Sequence, residues 1–174
     1  MDIFCEHMVK HKKTPKDNVT VIGSIVLGVI LSAAVLLFLT RFIGAIAFLL
    51  VVGIWYGAAY LIRGTDVEYE YILTNSMLDI DKIMSKKARK RVVKNLNFKE
   101  ITGCAPTNGE QIPQEPGMKV FDYSGDITDK SVYYVDFNKN GEKTRIYFQP
   151  NAKMLKNIKM ENPHAVTVNP QDIA

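Results

Sequence analysis

The chain has 174 residues, a formal net charge of +4 and a hydrophobic content of 47%. That length suits one ordinary domain plus a membrane segment, and the globular-looking average hides two regimes. The two cysteines, Cys5 and Cys104, are far apart and belong to no CxxC, which excludes a paired-thiol motif.

At the N-terminus, Ile3, Phe4, Met8 and Val9 recur at helical spacing among polar and basic residues. The pattern predicts a short interfacial helix within a cytoplasmic amphipathic segment, residues 1–18, broken at Thr14-Pro15. His7 and His11 stand at i, i+4 on that helix, but Cys5 falls a turn away on the wrong side. They read as polar-face residues and not as a metal pair.

Val19 to Thr40 runs 22 positions without a charge, and Phe42 to Ile62 another 21 after the single Arg41. About 20 helical residues cross the ~30 Å hydrocarbon core. Two such runs back to back predict a transmembrane hairpin over 19–62, with spans 19–40 and 42–62 and a turn at Thr40-Arg41. A core helix of a soluble protein rarely stays uncharged for so long. A secretory leader fits no better, because the first run is too long and no cleavage site follows it.

Lys10, Lys12, Lys13 and Lys16 precede the spans, and Arg63 and a basic segment follow them. The positive-inside rule then predicts a multi-pass protein of the cell membrane with both termini cytoplasmic. In that compartment the two thiols stay reduced. Trp55, Tyr56 and Tyr60 mark the cytoplasmic interface of the second span. Small residues recur at helical spacing: Ser24, Gly28 and Ser32 in the first span, and Ala45, Gly53 and Gly57 in the second. These rows predict the seam of the hairpin; the alternative is that one row faces another protomer and drives homo-oligomerisation. Neither span carries Asp, Glu, Lys, Arg or His, which argues against a transporter or pump.

From Val67 the pattern changes to short β-rich runs. Strands are predicted at 67–73, 77–83, 91–96, 98–104, 119–123, 131–137 and 142–149. Leu78 and Ile80 mark a buried face, opposite a solvent face holding Asp79 and Asp81. Ala105 to Gly117 reads as a loop, and Asn138-Lys139-Asn140-Gly141 as a hairpin turn. Asn151 is a plausible N-cap for a helix with Met154, Leu155 and Ile158 on one face, stopped at Pro163. The domain is thus 67–162, with 163–174 as a tail.

The segment YEYILTNSMLDIDKIM resembles the opening hairpin of bacterial pleckstrin-homology-like domains. The segment KTRIYFQPNAKMLKNIKMENP is similar to their last strand, proline and capping helix. The layout MDIFCEHMVKHKKTPKDN followed by a hairpin resembles small membrane proteins of Gram-positive anaerobes. The resemblance implies a membrane α-hairpin plus a mainly β, PH-like domain: a seven-stranded barrel or sandwich capped by a C-terminal helix. It implies no defined activity, since that fold hosts lipid, peptide and protein binding alike.

Charge is the most informative local feature. Lys82 to Lys99 holds eight basic residues and no acid, whereas the rest of 63–174 holds nine basic and fifteen acidic. The first strand begins about four residues after the second span. A basic loop held that close to lipid feels about 1 kcal/mol per cation from an anionic leaflet. Lys86, Lys87, Arg89, Lys90 and Arg91 are the candidate contacts with anionic headgroups, against the alternative of a solvated loop that only reinforces topology. Nucleic acid is not the expected partner, because surface aromatics do not interleave the cluster. No nucleophile–base pair, phosphate loop or metal spacing occurs. We therefore expect no enzyme, no metal and no cofactor. The expected function is a membrane-tethered module that binds a protein or peptide partner, or itself. The alternative is a small accessory subunit of a membrane complex whose hairpin is the working part.

Overall fold

A computed structural model describes residues 3–110, 112–139 and 141–173, with backbone only for Ile43. Asn140 of the predicted turn, Met1 and Asp2 of the predicted N-terminal helix, Gln111 of the loop and Ala174 of the tail lie outside the described residues. The chain divides into two units: the membrane hairpin with one turn (13–67 and 84–87), and a β domain built from everything else.

The first strand is a departure from expectation. Phe4–Lys10 is extended and forms β1, not a helix. Seven residues cannot separate the two periods, because Phe4 and Met8 share a face on either a helix or a strand. The decision comes from a distant partner: β1 pairs antiparallel with β2, Val67–Thr74, from Phe4↔Thr74 to Lys10↔Glu68. Cys5 is thereby buried, while Phe4 and Met8 face outward.

The hairpin is therefore an insertion between two neighbouring strands. Thr14-Pro15 opens its first helix instead of breaking an earlier one. Thr14 caps α1 (Pro15–Ala34) through a capping box with Asp17, and proline sits at the first turn where its missing N–H costs nothing. The helix continues through a π turn, Val35–Leu39, into α2, Thr40–Ile43. Gly44, at φ 52°, makes the reversal, three residues later than predicted, and α3 spans Ile46–Arg63. The hydroxyls of Thr20, Ser24 and Thr40 donate to carbonyls of their own helix turn, so none is left bare in an apolar setting.

Both helices, Pro15–Phe42 and Ile46–Arg63, are long and apolar enough to cross a membrane, and only 11% of each apolar window is buried in the protein. A core helix of a soluble protein would be mostly covered. Leu37, Phe42, Leu49 and Tyr56 are each at least 70% exposed. Keeping such side chains in water forgoes about 1.5–3 kcal/mol apiece. The hairpin is a membrane-associating element.

In the β domain, β2 is followed by β3 (Met77–Met84) and β4 (Ala88–Asn97), giving a sheet ordered β1-β2-β3-β4. A second sheet contains β5 (Gly103–Pro106), β6 (Lys119–Asp122), β7 (Tyr133–Lys139) and β8 (Glu142–Phe148), ordered β5-β7-β8-β6. Seven strands follow the hairpin and β1 makes an eighth among the described residues. The sheets form a sandwich and do not close into a barrel. Predicted strand 98–104 is shorter than expected: Phe98–Glu100 is a 3-10 turn, and β5 begins at Gly103.

Alternation supplies the core. Tyr71, Leu73, Leu78, Ile80, Ile146 and Phe148 are all buried between the sheets. The helix α4, Ala152–Glu161, starts at Asn151, whose side chain accepts from Met154 N at 2.9 Å, and it buries Met154, Leu155 and Ile158. The Tyr71 hydroxyl donates to Tyr123 O (2.6 Å) and accepts from Gln149 N (3.2 Å), so a fully buried tyrosine keeps its polar end satisfied. The predicted tail is part of the fold. Val166 bridges Cys104 in β5, and Tyr133 donates to Asp172 at 2.5 Å.

Candidate functional site

The basic segment occupies the end of β3, its turn and β4. Ser85 and Lys86 both have positive φ (51° and 58°), which closes a tight turn between the two strands. That turn packs on the C-terminal end of α3. Ser85 N donates to Asp66 O at 2.8 Å, and the Ser85 hydroxyl donates to Arg63 O at 2.7 Å. A helix end leaves carbonyls unpaired and carries partial negative charge, so a serine donor followed by two lysines suits it. Lys86 and Lys87 thus sit where the second apolar helix ends.

Arg89 and Arg91 behave differently from those lysines. Arg89 binds Glu70 at 2.8 Å and approaches Asp81 at 3.6 Å. Arg91 binds Asp81 through Nε at 2.8 Å and Asp79 through NH1 at 2.9 Å. The Asp81 hydrogen bond is the main cause holding the Arg91 guanidinium pKa above its usual value. Three carboxylates of β2 and β3 therefore tie both arginines to the outer face of the sheet. Asp81, expected on a solvent face, is only 3% exposed because the arginines lie over it. Lys99 pairs with Glu161 at 3.4 Å. Among the described residues no acid pairs with Lys82, Lys86, Lys87, Lys90 or Lys94. Of the five candidates for headgroup contact, the structure thus leaves Lys86, Lys87 and Lys90 with unneutralised charge.

The helix-packing candidates also divide. Ser24 and Gly28 of α1 are buried in the seam, where a Cβ added at Gly28 would meet the Trp55 indole at 3.9 Å. Ser32 is half-buried with an unpartnered hydroxyl among the described residues. From α3 the buried residues are Ala47 and Ala58. Gly53 and Gly57 lie outside the seam, since a Cβ added to either meets nothing within 4 Å.

A second feature had no sequence signal beyond the apolar alternation of a short strand. Between β4 and β6 lies a cavity of about 480 Å³. Val92 and Leu96 form one wall, and Phe121, Tyr123, Phe137 and Ile146 form the other. Phe121 and Tyr123 stack in parallel at 6.1 Å, and Phe121 is 44% exposed. Lys94, Lys119, Lys139, Glu100 and Glu142 rim it.

Elsewhere the polar groups serve the fold. His7 and His11 pack on Tyr71 and Tyr69. On a strand, positions four apart stand about 13 Å apart, too far to share an ion. Among the described residues no three His, Cys, Asp or Glu side chains gather as a metal site. Arg145 is clamped by both carboxylate oxygens of Asp136 (2.6 and 2.7 Å), donates to Pro113 O and covers the Tyr134 ring. It anchors the long loop before β6. Both cysteines are free, and burial pushes the Cys104 thiol up to about 12.

No curated protein and no solved structure matches the chain significantly. The family model described as bacterial PH-like domain (DUF6106) matches residues 1–168. The matched stretch includes β1 and the whole hairpin, so the insertion is part of the family pattern. With two sheets, a closing helix and a match over nearly its full length, the chain belongs to the bacterial PH-like domain family DUF6106.

Proposed function

We propose that this chain is a membrane-tethered interaction module: the hairpin anchors it, and the PH-like domain binds a protein or peptide partner at the cytoplasmic face. The family suggests a scaffold or interaction role. The observation that carries the reading is the insertion itself. Residues 11–66 connect two adjacent antiparallel strands, so the domain is leashed to the membrane at both ends of the hairpin. Strands that pair in one sheet lie on one side of a bilayer, which supports reading both flanks of the hairpin on the same side. The cations flanking the hairpin support the cytoplasm as that side, by the positive-inside rule. Reporters of membrane sidedness fused to each terminus should both read cytoplasmic; readings from opposite sides would discard the tether.

Lys86 and Lys87, at the end of α3, are the headgroup contacts in this reading, with Lys90 three residues further along the chain. Each is worth about 1 kcal/mol near an anionic leaflet, or roughly fivefold in local opening. With the full chain in phosphatidylglycerol vesicles, amide exchange over 84–90 should be slower than in neutral vesicles. Lys86→Ala with Lys87→Ala should remove the difference; exchange indifferent to lipid charge rejects the contact.

One observation favours a second reading, an accessory subunit whose hairpin is the working part. Gly53 and Gly57 face out of the hairpin and would let another membrane helix approach closely, from a second copy or a different protein. Crosslinking in native membranes separates the two: partners captured through the hairpin favour this reading, and partners captured through the domain favour the first.

A further inference from the structure

We propose that the cavity between β4 and β6 receives an extended, acidic segment of a partner protein, which adds to the free edge of β4. The inference rests on the interaction-module reading and names the site and the chemistry of its ligand. Three observations carry it.

The first is the pattern of sheet edges. The sheets end at β1 and β4, and at β5 and β6. The β5 edge is taken, because Cys104 exchanges backbone hydrogen bonds with Ala165 and Thr167 at 2.8 Å. The end of β1 is clasped by the loop before β7, with Lys12 N donating to Gly125 O at 2.7 Å. β4 and β6 are terminal in their sheets and flank the same cavity. Unpaired strand edges offer a row of N–H and C=O groups that an extended peptide can complete.

The second observation is apolar. Val92 and Leu96 lie on one side and Phe121 on the other, with Phe121 substantially exposed. A bound strand places alternate side chains toward such a surface.

The third is charge. Of the two acids on the rim, Glu142 is neutralised by Lys119 at 2.6 Å, while Glu100 accepts from the Asn97 amide at 2.8 Å and keeps its charge. Among the described residues Lys94 and Lys139 have no acidic partner, and Lys90 lies further along the β4 edge. With Lys94 and Lys139 set against Glu100, the net charge left on the rim is positive by one, and Lys90 adds to it along the strand. A segment alternating apolar residues with Asp or Glu complements it, and a basic segment is repelled.

The test uses the full chain in neutral-lipid nanodiscs and a displayed library of short random peptides. The wild-type protein should enrich peptides that alternate apolar residues with Asp or Glu. Lys94→Glu with Lys139→Glu should bind the enriched peptides at least about tenfold more weakly. Phe121→Asp should also weaken them, while Cys104 stays protected from thiol reagents, showing that the fold is kept. Enrichment no greater than with empty nanodiscs, enrichment of neutral or basic sequences, or equal binding by the charge-reversed variant would overturn the proposal. So would binding lost with Lys86→Ala and Lys87→Ala but not with the groove variants, which would move the site to the membrane-facing turn. None of these results bears on the sidedness of the termini, so failure of the groove and failure of the tether remain distinguishable.

Discussion

The hairpin and the β domain solve the same problem in opposite ways. The domain hides large side chains from water inside itself: Tyr71, Phe98, Tyr133 and Phe148 are fully buried. The hairpin turns its large side chains outward and buries small ones, with Ser24, Gly28, Ala47 and Ala58 in its seam. In the domain, apolar contact is driven by leaving water. Between membrane helices that drive is absent, because lipid is as apolar as leucine, and close backbone approach takes over. A residue's size therefore carries opposite meanings in two stretches of one chain. An exposed phenylalanine is ordinary at Phe42 and a candidate contact at Phe121.

The comparison can be broken or sharpened in several ways. The largest effect should come from removing residues 1–12, which precede the hairpin yet supply the edge strand of the domain. Loss of β1 uncovers Leu73 and Tyr71, at a cost on the order of several kcal/mol. In the intact protein both thiols should resist maleimide at neutral pH, since both are buried and the Cys104 pKa is pushed up to about 12. In the truncated chain Cys104 should label readily. A domain equally protected without its first twelve residues would show that β1 is ornamental.

Next in size is Arg145→Met, which leaves the Asp136 carboxylate without its partner and should cost roughly 3 kcal/mol in a thermal melt of the domain. Adding Asp136→Leu should restore much of the loss, because an apolar pair needs no partner. The hairpin should ignore both changes.

Within the hairpin, Gly28→Leu should cost about 1–3 kcal/mol by driving a side chain into Trp55. Gly53→Leu should leave hairpin packing unchanged, because its Cβ enters open space. Trp55 is the single tryptophan, so its fluorescence in micelles reports both variants. Equal effects would put Gly53 back in the seam.

The smallest effect concerns pH. Lys12 holds Asp126 at 2.9 Å, and chiefly that hydrogen bond lowers the Asp126 carboxyl to about 2 from its ordinary 3.8. A depressed carboxyl pKa contributes stability above the unfolded value, which is lost as pH falls through the folded one. The clasp on the end of β1 should therefore hold at pH 5 and loosen between about pH 4 and pH 2. Asp126→Asn should weaken it at pH 5, read as faster amide exchange at Lys12. The pair is exposed, so the change is small.

Much of this was legible in advance, and the reasons are local. Two charge-free runs of sufficient length predict spans whatever surrounds them. The alternation of VEYEYIL and the Asn151 cap predict β2 and α4, because neighbouring residues enforce those patterns. The paired arginines were not legible. Arg89 and Arg91 look like Lys86 and Lys87 in a basic run, and only the register of β2 and β3 brings Glu70, Asp79 and Asp81 against them.

What the sequence determined by itself is the character of each segment: 19–62 long and apolar enough to cross a membrane, and 67–162 patterned for a β core. Length, charge and period are enough, because transfer from water to oil is summed residue by residue. Tertiary structure alone decided that the first residues belong to the last domain. FCEHMVK fits a helix or a strand equally well, and its partner lies more than fifty residues away across the hairpin. Pairing energy between distant strands leaves no trace in either strand's own composition, so only the folded chain reveals it.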